Sequence, residues 1–250
     1  MNNYWQHNSL PNISERANLV THWSGSDNEE IFKKNPKSGY TKESIIYRYN
    51  SNGYRSQEID LTCSKPSIIC IGCSFTEGVG VNYEESWPAH IEQAFPDHLV
   101  YNFGYGGSSG DYVARTLYNI GNLLNTATVF ILWPGMFRYE LYTDVTVDHV
   151  MPQWADGNFS NETIYPMGGI TDINFYNLRQ KNKAIVDLLK IMHKYQVVEY
   201  NSGYNGNMSN LHDMPPIKVH DKGRDIHPGP GWHKDLARIF IEKYNLTLTN

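Results

Sequence analysis

From about residue 67 onward the apolar positions fall into short blocks that alternate between two periods. Ser67-Ile68-Ile69-Cys70-Ile71-Gly72 is an unbroken apolar run of strand length closed by glycine, the pattern of a strand buried on both faces. Glu84 to Phe95 then follows a helical pattern, with Pro88 close enough to its start to be tolerated. Leu99 to Phe103 predicts a second strand, and Asp111 to about Leu124 a second helix, apolar at Val113, Leu117, Ile120 and Leu124. Thr128 to Trp133 is a third strand, Leu178 to Tyr195 a long amphipathic helix, Val197 to Tyr200 a fourth strand and His233 to Tyr244 a terminal helix. Strands that alternate with helices predict a parallel sheet with right-handed crossovers and helices on both faces, with its ligand beyond the carboxyl ends of the strands.

Two regions lack this rhythm. Residues 1 to about 43 are polar, rich in Asn, Ser and Lys, and predict an irregular arm with Trp5 and Trp23 as anchors. Ile45 to Tyr49 and Tyr54 to Ser56 flank Asn52-Gly53, a strong short-range hairpin signal. Residues 1–60 are therefore taken as arm and hairpin, and 61–250 as the main domain. Inside it, about 141–171 fits neither period; a loop of that length in a compact domain is usually functional or disordered, and its Trp154, Phe159 and Tyr165 suit a pocket wall or lid.

Composition narrows the function. The 250 residues carry a net charge of −5, and Lys and Arg are scattered without a block to neutralise phosphates, which argues against a nucleic-acid partner. No stretch approaches the ~18 apolar residues that span a bilayer, and the first residues have no signal-peptide pattern, so the expectation is a cytoplasmic protein with no membrane partner. Cys63, Cys70 and Cys73 are odd in number and have no second group, which fits reduced thiols better than a disulfide framework or a thiolate zinc site. His212, Asp213, His220, Asp221, His227 and His233 match no metal-ligand spacing, and no cofactor is expected. Oligomeric state is not legible.

The informative residues fall after the strands. Ser74 follows the first core strand directly, on a strand-to-helix turn that faces the active edge; a hydroxyl there is a nucleophile once a base removes its proton. The plain alternative is a serine that caps a helix. Asn102 to Gly110 follows the second strand, and its glycines permit close backbone approach to a bound oxygen, though a Gly-rich turn with a Ser cap explains it equally simply. Asp225-Ile226-His227-Pro228 lies before the terminal helix and puts an imidazole at the edge Ser74 occupies.

In order along the chain, Gly72 to Gly78, Asn102 to Ser109 and Asp225 to Pro228 resemble the first, second and last conserved blocks of SGNH/GDSL hydrolases, and Asn52-Gly53-Tyr54-Arg55 is similar to a stretch that often precedes them. The resemblance implies a three-layer α/β/α sandwich with a mainly parallel, flavodoxin-like sheet. It also implies a Ser-His-Asp triad of Ser74, His227 and Asp225, an oxyanion hole from the N–H groups of Ser74 and Gly107, and metal-free esterase or deacetylase activity. Three departures stand out. Cys73 replaces the family's Asp. No Asn follows the third strand, where Arg138 is either a substitute cationic donor or a structural partner of Glu140 or another carboxylate. Arg224 occupies the position of the family's acid, which leaves Asp225, preferred, or Asp221 to orient the imidazole. Asn102, Tyr105, Arg138 and Trp154 are the expected substrate contacts. Aromatic and amide side chains at the presumed mouth, Tyr105, Trp133, Trp154, Asn158 and Tyr165, suit a short acyl ester, acetyl above all, on a polar or carbohydrate carrier. The rival is a degenerate SGNH-fold binding or scaffold protein, which the missing Asn would suit.

Overall fold

Each strand of the central sheet divides its side chains between two apolar layers. The computed structural model describes residues 13–120, 123–142, 147–150, 172–202 and 215–249. Along the chain the elements are β1 (Val20–Thr21), α1 (Glu29–Lys34), β2 (Tyr47–Arg48), β3 (Ser67–Gly72), α2 (Ser74–Glu77), α3 (Trp87–Ala94), β4 (Leu99–Gly104), α4 (Gly110–Ile120), β5 (Thr126–Trp133), β6 (Tyr139–Tyr142), β7 (Val147–Val150), α5 (Asp172–His193), β8 (Gln196–Asn201) and α6 (Pro230–Leu248). Ile69, Ile71, Tyr101, Phe103, Val129 and Ile131 point to one face, where α4 and α5 cover them with Val113, Leu117, Ile120, Val186 and Leu189. Ile68, Cys70, Val100, Phe130, Leu132 and Val198 point to the other, against Trp87 and Ile91 of α3 and Trp232, Leu236 and Phe240 of α6. This two-sided burial is why β3 has no polar alternation: every one of its residues is inside.

The sheet is parallel throughout, in the order β4-β3-β5-β8. In core-strand numbering that is 2-1-3-4, the doubly wound arrangement with its crevice where the strand order reverses, beside β3. Layers and topology make a three-layer α/β/α sandwich of the flavodoxin-like kind. All three cysteines are free, with Cys70 and Cys73 buried. Among the described residues no helix is long and apolar enough to cross a membrane.

The Asn52-Gly53 turn forms, with Gly53 at φ +82° and the Asn50 N–H donating to the Tyr54 carbonyl at 2.8 Å. The ladder differs from the expected hairpin: Tyr47–Arg48 pairs antiparallel with Val20–Thr21 of the arm. The cause lies at Arg55, whose guanidinium is buried under the Tyr47 ring and donates to the carbonyls of Gly78 at 2.5 Å and Val81 at 2.9 Å, so this stretch is pulled toward the sheet's active edge. Around 141–171 the structure adds an antiparallel pair, β6 with β7, where the sequence pattern showed none. Tyr-Glu-Leu-Tyr and Val-Asp-His-Val are too short for a period to declare itself. Residues 151–171, with Trp154, Asn158, Phe159 and Tyr165, lie outside the described residues, as do Trp5, His212 and Asp213.

Candidate active site

Ser74 opens α2 at the carboxyl end of β3, its hydroxyl buried at the floor of the crevice. The α2 turn is brief because Gly78 closes it in the left-handed region at φ +80°. The chain then doubles back through Gly80, φ +87°, and the Gly80 carbonyl accepts the Arg224 N–H at 2.7 Å. This close approach brings the last loop to the first. A Cβ on Gly80 would lie 2.5 Å from Asp225 Oδ1, and one on Gly223 would fall on the Gly80 carbonyl oxygen, so neither position has room for a side chain.

That contact puts His227 over Ser74. His227 Nε2 lies 2.8 Å from Ser74 Oγ, and its Nδ1 lies 2.6 Å from Asp225 Oδ2. Asp225 Oδ1 accepts the backbone N–H of His227 at 2.9 Å, so the carboxylate holds both the ring and the main chain of the same residue. Burial works against ionising Asp225, but the hydrogen bonds and charge of His227, with a further bond from the Ser26 hydroxyl, outweigh it and hold the carboxyl below its usual range. Asp221, the alternative acid, is engaged elsewhere: it accepts the N–H groups of Gly231 and Trp232 at 2.8 and 2.7 Å, at the start of α6. Arg224 forms a buried ion pair with Asp27, Nε to Oδ1 at 2.9 Å and Nη2 to Oδ2 at 2.8 Å.

The second loop, after β4, is tied to the first by Glu77. Glu77 Oε2 accepts the Gly106 N–H at 2.6 Å, while Oε1 accepts from Arg16 at 3.0 Å, Ser24 at 3.1 Å and Tyr49 at 2.8 Å. Gly107, at φ +82°, turns next to the crevice. Among the described residues the N–H groups of Ser74 and Gly107 donate to no protein group. A cavity of about 570 Å³ opens above Ser74 and His227, bounded by Gly107, Arg138 and Arg16, with Phe75 and Trp232 as its apolar wall.

Asn102 is a correction to the expected substrate contacts. It is buried, its amide donates to the Thr76 carbonyl at 3.0 Å and its oxygen accepts the Gly104 N–H at 2.8 Å, so it braces the two loops against each other and does not line the cavity. Tyr105 stands behind Arg16, whose guanidinium lies 4.7 Å from its ring centre. Arg138 lines the cavity and donates to the Ser108 carbonyl at 3.4 Å, and Glu140 is held bidentately by Arg115. Trp133 is a core residue, fully buried, its indole N–H donating to Glu199 at 2.7 Å. Among the described residues no group of three or more His, Cys, Asp or Glu is placed to hold a metal ion.

Sequence pattern gave no sign of Arg16, Ser24, Ser26 and Asp27, because an arm without a period offers no face to read. Glu77 was legible in principle, since a carboxylate on the short turn that follows a buried strand needs partners for its charge.

No family model and no curated protein matches the chain. Among solved structures it is similar to a carbohydrate esterase family 2 enzyme with its carbohydrate-binding domain from Myceliophthora fergusii, at 11% identity over 77% of this chain and 69% of that one, with a TM-score of 0.45. It is also similar to a lipolytic protein of the G-D-S-L family from Veillonella parvula, at 14% identity over 72% of this chain and 98% of that one, TM-score 0.35. A third is Est24, a carbohydrate acetylesterase from Sinorhizobium meliloti, at 14% identity over 73% and 100%, TM-score 0.35. These overlaps are partial, and the chemistry below rests on the site's own geometry.

Proposed function

We propose that the protein is a serine esterase that hydrolyses short acyl esters, acetyl above all, on a polar or carbohydrate carrier. The observation that carries this is the chain of contacts from Ser74 Oγ to His227 Nε2 and from His227 Nδ1 to Asp225 Oδ2, at 2.8 and 2.6 Å, at the floor of an open cavity. His227 takes the Ser74 proton as the hydroxyl attacks the acyl carbonyl, and Asp225 holds the ring in the tautomer that leaves Nε2 basic. Charge that develops on the carbonyl oxygen meets the N–H groups of Ser74 and Gly107, with Arg138 as a cationic side chain of the same cavity. His227 then returns the proton to the leaving alkoxide, and water repeats the sequence on the acyl-enzyme.

The cavity supports the substrate class. Among the described residues its walls carry Arg16, Arg138 and His220 beside the aromatic pair Phe75 and Trp232 and the aliphatic Val79 and Ile226, a mixed lining that suits a short acyl group on a polar carrier better than a long acyl chain. A set of p-nitrophenyl esters, with fluorophosphonate labelling, tests both halves. Label is expected on Ser74 alone, and Ser74→Ala, His227→Ala and the double variant should each lose about 10³-fold or more without adding, because cooperating groups fail together. Rates should be greatest at acetate and fall by about the octanoate, since each CH₂ gains ~0.8 kcal/mol only where it is buried. Full activity in Ser74→Ala would overturn the serine mechanism; a rate that climbs with chain length would overturn the short-acyl assignment alone.

A further inference from the structure

The arm presents one more hydroxyl to the Asp225–His227 pair. Ser26 Oγ donates to Asp225 Oδ2 at 2.8 Å, the same oxygen that meets His227 Nδ1, and lies 3.3 Å from that nitrogen itself. Its position is fixed from both sides. Ser24 and Asp27 close a turn on each other through reciprocal backbone bonds of 2.9 and 3.1 Å, with Gly25 in the left-handed region at φ +60°. Ser24 Oγ is bonded to Glu77 Oε1, three residues after Ser74, and Asp27 is paired with Arg224, one residue before Asp225. Tyr49 and Tyr47 secure the same two anchors, Tyr49 donating to Glu77 at 2.8 Å and Tyr47 to Asp27 at 2.5 Å. The tip of the turn is thus clamped to both catalytic loops at once.

We infer that Ser26 is a positioning residue of the active site: its hydroxyl locks the Asp225 carboxylate in the orientation that faces His227, making the segment 24–27 of the arm a working part of the hydrolase. The inference rests on the esterase assignment only for its effect on turnover. Oδ1 is tied to the His227 N–H, and the Ser26 donor ties the other oxygen, Oδ2, while sharing its charge with the His227 ring. A hydrogen bond to an ionised group is worth more than one between neutral groups, so loss of this one is felt by the pair.

The pair's other charged neighbours stay constant in the comparison. Lys37, after α1, feels the Asp225 charge and donates to the Gly223 carbonyl at 3.0 Å. Arg224 is neutralised by Asp27, and His233 of α6 is buried and held neutral. His220, Asp221 and Lys222 face the cavity from the last loop. Ser74 and the edge of Phe75 complete the surroundings of the ring.

Ser26→Ala and Ser26→Thr, in the full chain, separate positioning from mere folding. In Ser26→Ala, kcat is expected to fall roughly tenfold with KM changed less, because the Ser26 hydroxyl is committed to Asp225. Without the competing donor the carboxylate is the stronger base, so the acid limb of the kcat/KM profile moves to higher pH by about half a unit. Ring-carbon NMR of His227 should show the same upward movement in the pair's titration, with no substrate present. Ser26→Thr keeps the hydroxyl and should restore kcat, pH limb and NMR midpoint. An unmoved NMR midpoint in folded Ser26→Ala, or a Thr variant as impaired as the Ala variant, overturns the inference. If the NMR midpoint moves while Ser74→Ala remains fully active, the assignment of Ser74 as nucleophile falls and the positioning role stands.

Discussion

In the sheet, Ile68, Ile69, Cys70 and Ile71 alternate between two apolar layers and need only their hydrophobicity to be placed. In the arm, Asp27 and Arg224 stand at opposite ends of the sequence and meet as a buried, bidentate ion pair, with Arg224 also donating to the carbonyls of His22, Thr41 and Lys42. One wall of the cleft is therefore built from non-directional burial, the other from directional bonds that must all be made at once. A sheet residue supplies stability wherever it fits, whereas an arm residue supplies the position of one particular atom. The cleft needs both, because Ser74 is set by the end of β3 and His227 by a loop that has, among the described residues, no strand or helix of its own.

The sharpest way to break this contrast is to damage each wall by a similar amount. Asp27→Ala leaves the Arg224 guanidinium buried without its carboxylate and should cost about 3–5 kcal/mol, the usual penalty when one partner of a buried pair is lost. Leu236→Ala, at a position with 0% exposure in the other layer, should cost a comparable ~2–5 kcal/mol through lost transfer energy and a cavity. Urea unfolding gives both costs. Turnover should separate them: Asp27→Ala lowers kcat well beyond its unfolded fraction because Arg224 adjoins Asp225, and Leu236→Ala leaves kcat of the folded protein near the parent's. Equal kcat in the two variants would mean that the arm is only a cover.

Legibility in the sequence followed the same divide. The four core strands, the helices beside them and the order of the three loops could be read because burial writes a period into neighbouring residues. Ser74 and His227 were named from their places after strands and Asp225 through the family resemblance, and the structure brings those three side chains together. The arm stayed opaque because its determinants are pairs such as Arg16 with Glu77 and Asp27 with Arg224, remote in sequence and without local pattern. Asn102 was misjudged for a related reason. A polar residue at the end of a buried strand suggests a ligand, yet here both ends of its amide satisfy backbone groups that the loops would otherwise leave unpaired.

A smaller effect is expected at Glu77, where the two walls meet. Glu77→Gln keeps an oxygen for the Gly106 N–H but cannot match the Arg16 cation, so it should cost about 1–3 kcal/mol. Because Gly106 precedes Gly107, the loosened loop should also lower kcat, by about tenfold or less, with KM changed less. Burst-phase kinetics with p-nitrophenyl acetate would locate the loss in acylation. A variant destabilised by this amount with unaltered acylation would detach Glu77 from the proposed role of the Gly107 loop.

His233 carries the contrast to its smallest and cleanest form, a polar group set within the apolar wall. It is fully buried on α6, and its Nδ1 accepts the Trp87 N–H at 3.2 Å, so the ring sits neutral among Trp87, Trp232 and their neighbours. Burial, reinforced by the nearby charges of His227, Arg55 and His90, holds its pKa down to about 3. In the unfolded chain an ordinary histidine titrates near 6.5. Between about 6.5 and about 3 the unfolded state therefore binds a proton that the folded state refuses, and stability falls as pH falls through that window. From pH 7 to pH 5 the loss from this residue alone should be about 2 kcal/mol. His90, also lowered by burial, acts with the same sign but is present in parent and variant alike. Asp225, held below its usual range, begins to contribute only at more acid pH. His233→Asn puts an amide oxygen where Nδ1 accepts and removes the titration. Urea unfolding at pH 7 and pH 5 should then show the parent losing about 2 kcal/mol more than the variant over that interval. Equal losses would mean that the folded protein protonates His233 readily, and that this part of the apolar wall admits water.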